Sequence, residues 1–120
     1  ETFSFCDTVG KATPERGYKE AKVFDSKGNV ELGFGGGNCQ VSSTLYNAVL
    51  LAELDVTERY NHSMIVNYVE PAADAAIAES AGKDFKFVNN IVYMYIEVGL
   101  MQGYLKHYLK YFIIPANTFL

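Results

Sequence analysis

Three consecutive glycines that run directly into a helical pattern constrain the fold of this chain more than any other feature. Glycine adopts backbone conformations that other residues avoid and allows close approach to a neighbour, so Gly35–Gly37 predicts a sharp turn. After the turn, apolar residues recur at the spacing of one helix face. They are Val41, Leu45, Ala48, Val49 and Ala52. We therefore predict a central helix that begins at the glycine-rich loop near Cys39 and reaches about Glu53.

Elsewhere apolar and polar residues alternate, which is typical of strands. Short runs of this kind lie at 3–5, 63–69, 75–78, 85–87 and 91–98. Ala21–Phe24 and Val30–Leu32 flank a turn-prone segment and predict a hairpin. Asp7–Gly10 is predicted as a turn, and Thr13–Arg16 as one helical turn. The pattern predicts an α+β fold in which the helix packs on a mainly antiparallel sheet, built mainly from residues after His62.

With 120 residues the chain has the length of one domain, so we predict a single domain over 1–120. Residues 99–120 are interpreted as a C-terminal hairpin. Tyr104–Ile114 fits either a helix or a strand. The preferred prediction is a strand paired with Ile91–Val98 across a turn at Gly99–Gly103.

Charge and hydropathy exclude two classes of function. The formal net charge of −4 gives no general attraction to phosphate backbones, so nucleic acid is not expected as a partner. Val41–Ala52, the longest nearly uncharged apolar stretch, is shorter than the ~20 residues that a membrane-spanning helix needs. No membrane span, signal peptide or anchor is expected in this chain. Oligomeric state and redox compartment stay open.

Any chemistry is expected at the start of the helix. A cysteine in the first helical turn meets unpaired N–H groups and the positive end of the helix dipole. We predict that this lowers the pKa of Cys39 and that N–H groups near Gln40 and Val41 form an oxyanion site. Gly36 and Gly37 would let a ligand approach the backbone. The alternative is a buried structural cysteine beside a glycine turn.

His62 and Asp74 could complete a nucleophilic site, because a cysteine needs a base and the base needs an orienting acid. Arg59 could bind a substrate carboxylate, although a structural ion pair is the alternative. His62 could equally be an ordinary hydrogen-bonded histidine. The tyrosines, Tyr68 among them, are interpreted mainly as core or surface residues, with a groove for sugar or peptide as the alternative.

Several segments resemble the VanW family over residues 2–98. The residues that carry this resemblance are Gly35-Gly36-Gly37-Asn38-Cys39-Gln40-Val41-Ser42-Ser43-Thr44-Leu45-Tyr46-Asn47-Ala48, Glu58-Arg59-Tyr60-Asn61-His62-Ser63, Asp74-Ala75 and Lys83-Asp84-Phe85-Lys86-Phe87. The resemblance implies a cell-envelope, extracytoplasmic accessory domain of bacterial glycopeptide-resistance clusters, with no established reaction. The chain departs from the family at Asn38, at Cys6 and at Ala72-Ala73, where the family has Gly-Arg. Cys6 stands where the family has a polar residue, and no disulfide with Cys39 is expected.

The order of these residues is also similar to that of transglutaminase-like and papain-like cysteine folds. This similarity implies acyl transfer, with Cys39 as nucleophile, His62 as base and Asp74 as the residue that orients the base. Gln40 would supply donors to the substrate, and Ser43, one helical turn beyond Cys39, could line the same pocket, although a hydrogen-bonded hydroxyl on the helix face is the commoner interpretation.

Three hypotheses follow. The first is a cysteine-dependent amidase, peptidase or transpeptidase-like enzyme acting on a peptide or peptidoglycan-type amide. The second is a non-catalytic envelope binding domain, or a diverged or engineered variant without activity. The third is a metal site formed by Cys39 and His62 with Cys6, His107 or Asp74, which lacks the ligand spacing of known sites. No metal and no cofactor are expected in the preferred interpretation.

Overall fold

The computed structural model of the chain describes residues 1–25, 27–90, 99–101 and 104–106. The elements are β1 (Thr2–Ser4), α1 (Phe5–Val9), β2 (Ala21–Phe24), β3 (Val30–Gly33), α2 (Asn38–Leu51), β4 (Asp55–Glu58), β5 (Lys86–Val88), β6 (Gly99–Met101) and β7 (Tyr104–Lys106). Two short 3-10 helices lie at Pro14–Arg16 and Glu79–Ala81. The described helices and strands give an α+β fold, as predicted.

A three-stranded antiparallel sheet joins distant parts of the chain, in the order β1-β5-β4. Phe87 is its centre, since it pairs with Phe3 on one side and Val56 on the other. The register between β4 and β5 shifts between Val56 and Glu58. Two of the three strands precede His62, so the prediction of a sheet built mainly from later residues was wrong. The sheet instead includes the N-terminal strand β1. A short alternating pattern predicts such a strand but does not indicate that its partner is β5, more than 80 residues later in the chain.

The hydrophobic core lies between this sheet and α2. Val49 and Phe85 are fully buried, and the Phe85 ring meets Tyr46 of α2 edge-on, with 5.6 Å between ring centroids. Other buried members of the cluster are Phe5, Ala52, Leu54, Ala75 and Phe87. The predicted central helix packed on an antiparallel sheet is therefore confirmed, with α2 beginning at Asn38, one residue before the cysteine.

The glycine run before α2 has two separate physical causes. Gly37, the N-cap residue of α2, has φ 95°, a left-handed conformation that favours glycine. Gly36 has no such φ. A Cβ added there would lie 2.7 Å from the Ala21 Cβ and 2.9 Å from the Lys22 carbonyl oxygen. The loop therefore packs against β2, and the hairpin of β2 and β3, predicted from the sequence, supports the start of α2.

Two predicted strands are not strands. Residues 63–69 form bends and irregular backbone rather than an element of a sheet, and the Ile65 side chain is 86% exposed. Residues 75–77 are extended but have no strand partner, and only Ala78 forms an isolated bridge, to Lys83. Alternation alone was misleading here, because backbone groups of the second segment are bound by side chains of α2 instead of a neighbouring strand. Asp7–Gly10, predicted as a turn, instead belongs largely to α1, which Gly10 terminates.

In the C-terminal part, β6 pairs antiparallel with β7, with Leu100 opposite Leu105. The prediction of a strand at the start of Tyr104–Ile114 is confirmed, but its described partner begins at Gly99, where a turn was predicted. Ile91–Val98 and residues 107–120 lie outside the described residues. No helix in the described ranges is long and apolar enough to cross a membrane.

Candidate functional site

Polar side chains on one face of α2 hold the extended segment 73–77 by its backbone. Asn47 Nδ2 donates to the Ala73 carbonyl at 2.7 Å, and Ser43 Oγ accepts from the Ala75 N–H at 2.9 Å. Ser42 Oγ lies 2.6 Å from the Ala75 carbonyl oxygen. Ser42 and Ser43 are fully buried, so these hydrogen bonds satisfy groups that water cannot reach. Sequence reasoning predicted Ser43 as a pocket-lining residue, whereas its hydroxyl serves this backbone segment.

Cys39 is the next member of the same series. Its Sγ accepts from the Ile77 N–H at 3.4 Å and lies 3.5 Å from the Ile77 carbonyl oxygen. Positions 39, 43 and 47 are about 6 Å apart along a helix. Residues 77, 75 and 73 are about 6.6 Å apart along extended backbone. The two spacings match, so one side chain from each of three successive helical turns can bind the backbone of one of three alternate residues. We call this set of contacts the helix ladder.

The environment of Cys39 does not favour the thiolate. Burial raises the pKa of the thiol, the Ile77 N–H only partly offsets this, and the charge of Asp74 raises the pKa further. The prediction that the helix start lowers the thiol pKa was therefore wrong. Removal of the sulfur from water outweighs the favourable end of the helix dipole. At neutral pH, Cys39 is a protonated thiol.

The alternation of the extended segment turns Asp74 away from α2 and towards His62. Asp74 Oδ2 lies 2.6 Å from His62 Nδ1 and also accepts the His62 backbone N–H at 2.6 Å. Asp74 Oδ1 forms an ion pair with Arg59 Nη2 at 3.0 Å. Burial raises the pKa of Asp74, but the hydrogen bonds from His62 outweigh it, so the pKa lies below its usual value. The sequence-predicted Asp74–His62 pair is thus present as a contact.

Arg59 reaches the same segment through several atoms. Its Nε donates to the Asp74 carbonyl at 2.7 Å, and Nη2 donates to the Ala72 carbonyl at 3.0 Å. The guanidinium also lies over the Tyr46 ring, 5.2 Å from the centroid. Ala72 has φ 65°, a conformation that favours the glycine of the family pattern. Through these contacts Arg59 supports Asp74. They match the structural ion pair that sequence reasoning gave as the alternative to substrate binding.

Tyr68 joins the site although sequence reasoning gave it no specific role. Its hydroxyl lies 3.4 Å from His62 Nε2, and the two rings meet edge-on with centroids 6.3 Å apart. Burial and the negative charges of Cys39 and Asp74 raise the pKa of Tyr68 to about 12, against a lowering effect of the Ser43 hydroxyl. A tyrosine six residues after a histidine carries no recognisable pattern, because their contact depends on an irregular loop.

The backbone donors at the start of α2 differ from those predicted. The N–H groups of Gln40 and Val41 both donate to the Gly37 carbonyl, at 3.0 and 3.1 Å. They are therefore not directed at a substrate, and that part of the oxyanion prediction was wrong. The Cys39 N–H has no hydrogen-bond acceptor among the described residues. Since the N–H groups of Asn38, Gln40 and Val41 donate to glycine carbonyls, the Cys39 N–H is the backbone donor of this turn that could bind a ligand.

Cys39 and His62 each have other partners. In the described part of the chain no hydrogen bond joins them. A cavity of about 430 Å³ lies on the far side of His62, lined by Arg59, Asp74 and the loops at 61–66 and 70–72. Cys39 is not part of this lining. The cavity therefore places His62 and its loop next to open space.

Metal binding finds no support in the ranges that the structure describes, where no group of three or more His, Cys, Asp or Glu side chains could hold an ion. Cys6 and Cys39 are both free thiols. Cys6 Sγ lies 3.7 Å from the Lys83 carbonyl oxygen, at the edge of the sheet. Burial and the neighbouring Asp84 raise the pKa of Cys6 to about 12. His107 lies outside the described residues.

Comparisons with known proteins identify a family but no reaction. A family model described as "VanW like protein" matches residues 1–109. The chain is also 49% identical over 89 residues to "Uncharacterized protein YoaR" of Bacillus subtilis (strain 168). The match covers 74% of this chain but only 29% of the relative, so the chain spans less than a third of that protein's length. No solved structure matches.

Proposed function

Because the chain belongs to the VanW-like family, we propose that it is a cell-envelope-associated domain that performs cysteine-dependent acyl transfer on a peptide or cell-wall amide. The observation that supports this best is the pair formed by His62 and the buried carboxylate of Asp74. A carboxylate on Nδ1 fixes the tautomer whose Nε2 accepts a proton, which is the form a general base requires. Extracytoplasmic location is part of the proposal.

The raised thiol pKa decides which mechanism the proposal takes. A preformed thiolate is not available at neutral pH, so His62 acts as a general base during attack. The S–H bond breaks, its proton moves to Nε2, and sulfur bonds to the substrate carbonyl carbon. When the intermediate collapses, the C–N bond breaks and the imidazolium returns the proton to the leaving amine. Water or a second amine then releases the acyl group from Cys39.

Donors for the developing oxyanion come from the first turn of α2. The Cys39 N–H is the backbone group without a protein acceptor in the described ranges. Gln40, half-buried beside it, supplies a side-chain amide, and the backbone of Gly36 and Gly37 adjoins the same turn. Arg59 keeps Asp74 in place instead of contacting the substrate. Sulfur must leave Ile77 to reach His62, so substrate binding includes a local change at Cys39.

The test uses an activated ester, p-nitrophenyl acetate, as the acyl donor. In a Cys6→Ser background, we expect acetylation of Cys39 by mass spectrometry and loss of acetylation in Cys39→Ser. His62→Gln slows acetylation at pH 7 by at least about tenfold, the lower range of general-base effects, and much less at pH 10. His107→Gln, the chain's other histidine, is the matched control. Equal rates in the His62 and His107 variants would contradict the proposal.

A non-catalytic binding domain is the second candidate. One observation favours it: Cys39 occupies the same kind of backbone-binding position as Ser43 and Asn47 in the helix ladder. In that case the cysteine is structural and the cavity beside His62 binds a peptide or peptidoglycan-type ligand without reaction. Cys39→Ser would then retain binding of a cell-wall peptide to immobilised protein, and p-nitrophenyl acetate would leave no acyl group on the wild-type chain.

A further inference from the structure

The contact between Tyr68 and His62 has a defined direction. Asp74 Oδ2 lies 2.6 Å from His62 Nδ1, and a carboxylate can only accept, so Nδ1 carries a proton; in the neutral ring that a general base requires, this is the single ring proton. Nε2 is then an unprotonated acceptor. Tyr68 Oη, 3.4 Å from Nε2, is therefore the donor. The lone pair that a general base must offer to its substrate is occupied by a tyrosine hydroxyl.

Tyr68 is also in contact with α2. Its hydroxyl interacts with Ser43, and the carboxylate of Asp74 lies near enough to raise its pKa. Tyr68 is thus held between His62 and Ser43 and is not among the residues that line the cavity, whereas His62 is.

We propose that Tyr68 is a positioning residue that caps His62, holding Nε2 away from Cys39 until a substrate displaces the hydroxyl. This inference rests on the proposed acyl transfer and adds the step that precedes it. While Tyr68 donates to Nε2, the imidazole cannot take the thiol proton. Once the hydroxyl turns away, the S–H proton moves to Nε2, and Asp74 balances the imidazolium.

Two readouts test the cap separately from the reaction. The first is the ¹⁵N resonance of His62 Nε2, which reports its hydrogen bond whether or not the chain is an enzyme. Tyr68→Phe keeps the ring and removes only the hydroxyl, so we expect this resonance to move. Tyr60→Phe is the matched control, because the Tyr60 side chain is 40% exposed and lies outside the site. An unchanged Nε2 resonance in Tyr68→Phe would overturn the cap.

The second readout is the rate of iodoacetamide labelling of Cys39 in the Cys6→Ser background. Tyr68→Phe is expected to accelerate labelling at pH 7 by about three- to tenfold, the factor that one ordinary hydrogen bond represents. The acceleration should vanish when His62→Gln is added. A rate that stays the same or falls overturns the cap. If the resonance moves but labelling never depends on His62, the proposed function fails, and with it the kinetic role of Tyr68.

Discussion

Two regions of this molecule hold neighbouring segments together by different means. The sheet of β1, β5 and β4 uses backbone hydrogen bonds, which any residue but proline can form. The helix ladder uses the side chains of Cys39, Ser43 and Asn47 to bind the backbone of 73–77. The first arrangement tolerates side-chain change where the core is not involved. The second depends on the identity of each side chain that forms a hydrogen bond. It is recognised by polar residues on a buried helix face.

Each region also has a buried carboxylate that accepts several donors. In the sheet region, Asp84 accepts from the Ser4 hydroxyl at 2.6 Å and the Cys6 N–H at 2.9 Å. Asp74 accepts from His62 and Arg59 instead. The difference lies in the donors: at the sheet they are a hydroxyl and backbone groups, with the basic Lys86 Nζ more distant at 3.8 Å, whereas beside the ladder the basic side chains of Arg59 and His62 lie within 3.0 Å. Of these two carboxylates, Asp74 is the one that contacts an imidazole.

The largest expected effect is in the core of the sheet region. Phe85→Ala removes a fully buried ring, and we expect the free energy of unfolding to fall by about 3–5 kcal/mol, as for other large-to-small core changes. Phe24→Ala, whose side chain is 63% exposed on β2, is the control and should change it little. Urea denaturation followed by circular dichroism measures both. Equal losses would show that the core has been assigned to the wrong side chains.

The comparison itself is tested by removing one hydroxyl from each region. Ser43→Ala leaves the buried N–H of Ala75 without an acceptor, which costs about 1–3 kcal/mol. Thr57→Ala removes an exposed hydroxyl from β4 but leaves the backbone pairing, so the loss should stay below about 1 kcal/mol. The same denaturation measurement applies. If Thr57→Ala were as costly as Ser43→Ala, the ladder would have no special dependence on side chains.

The smallest expected effect is a change in acid sensitivity. The pKa of Asp74 is lower in the folded chain than its unfolded value of about 3.9, so its carboxylate stabilises the fold above that pH. This contribution is lost as the pH falls through the folded pKa. Asp74→Asn should therefore lose less stability than the wild type between pH 5 and pH 2.5. Asp55→Asn, an exposed carboxylate on β4, should lose as much as the wild type, and the reverse order would contradict the argument.

The helix was predictable because its apolar stripe repeats regularly, and Ala48 and Val49 are buried as expected. Val41, assigned to the same stripe, is 40% exposed, whereas Ser43 is fully buried. A helix that buries polar groups gives no signal in a hydrophobic pattern, since the partner that satisfies them is distant in sequence. The strand predicted at 75–78 is wrong for the same reason. Alternate residues of this segment do face one partner, but that partner is helix α2 and not a strand.

The site was predictable in part. The Asp74–His62 contact followed from the similarity in residue order, which does not require knowledge of the loop between them. Tyr68 and the hydrogen bonds of Arg59 could not be foreseen, because they depend on how an irregular loop folds back over 13 to 15 residues. The effect of burial on the Cys39 pKa was also out of reach, since a sequence shows the helix end but not the depth of the sulfur.

The matching spacings of the ladder limit how this part of the chain can change in length during evolution. One residue inserted between Cys39 and Asn47 would rotate all later side chains by about 100° around the helix, away from segment 73–77. One residue inserted within 73–77 would break the match between the alternate residues 73, 75 and 77 and the helix side chains that bind them. Related chains should therefore vary in length in the loop at 63–71, while the nine-residue stretch of the helix and the five-residue segment opposite it keep a fixed length.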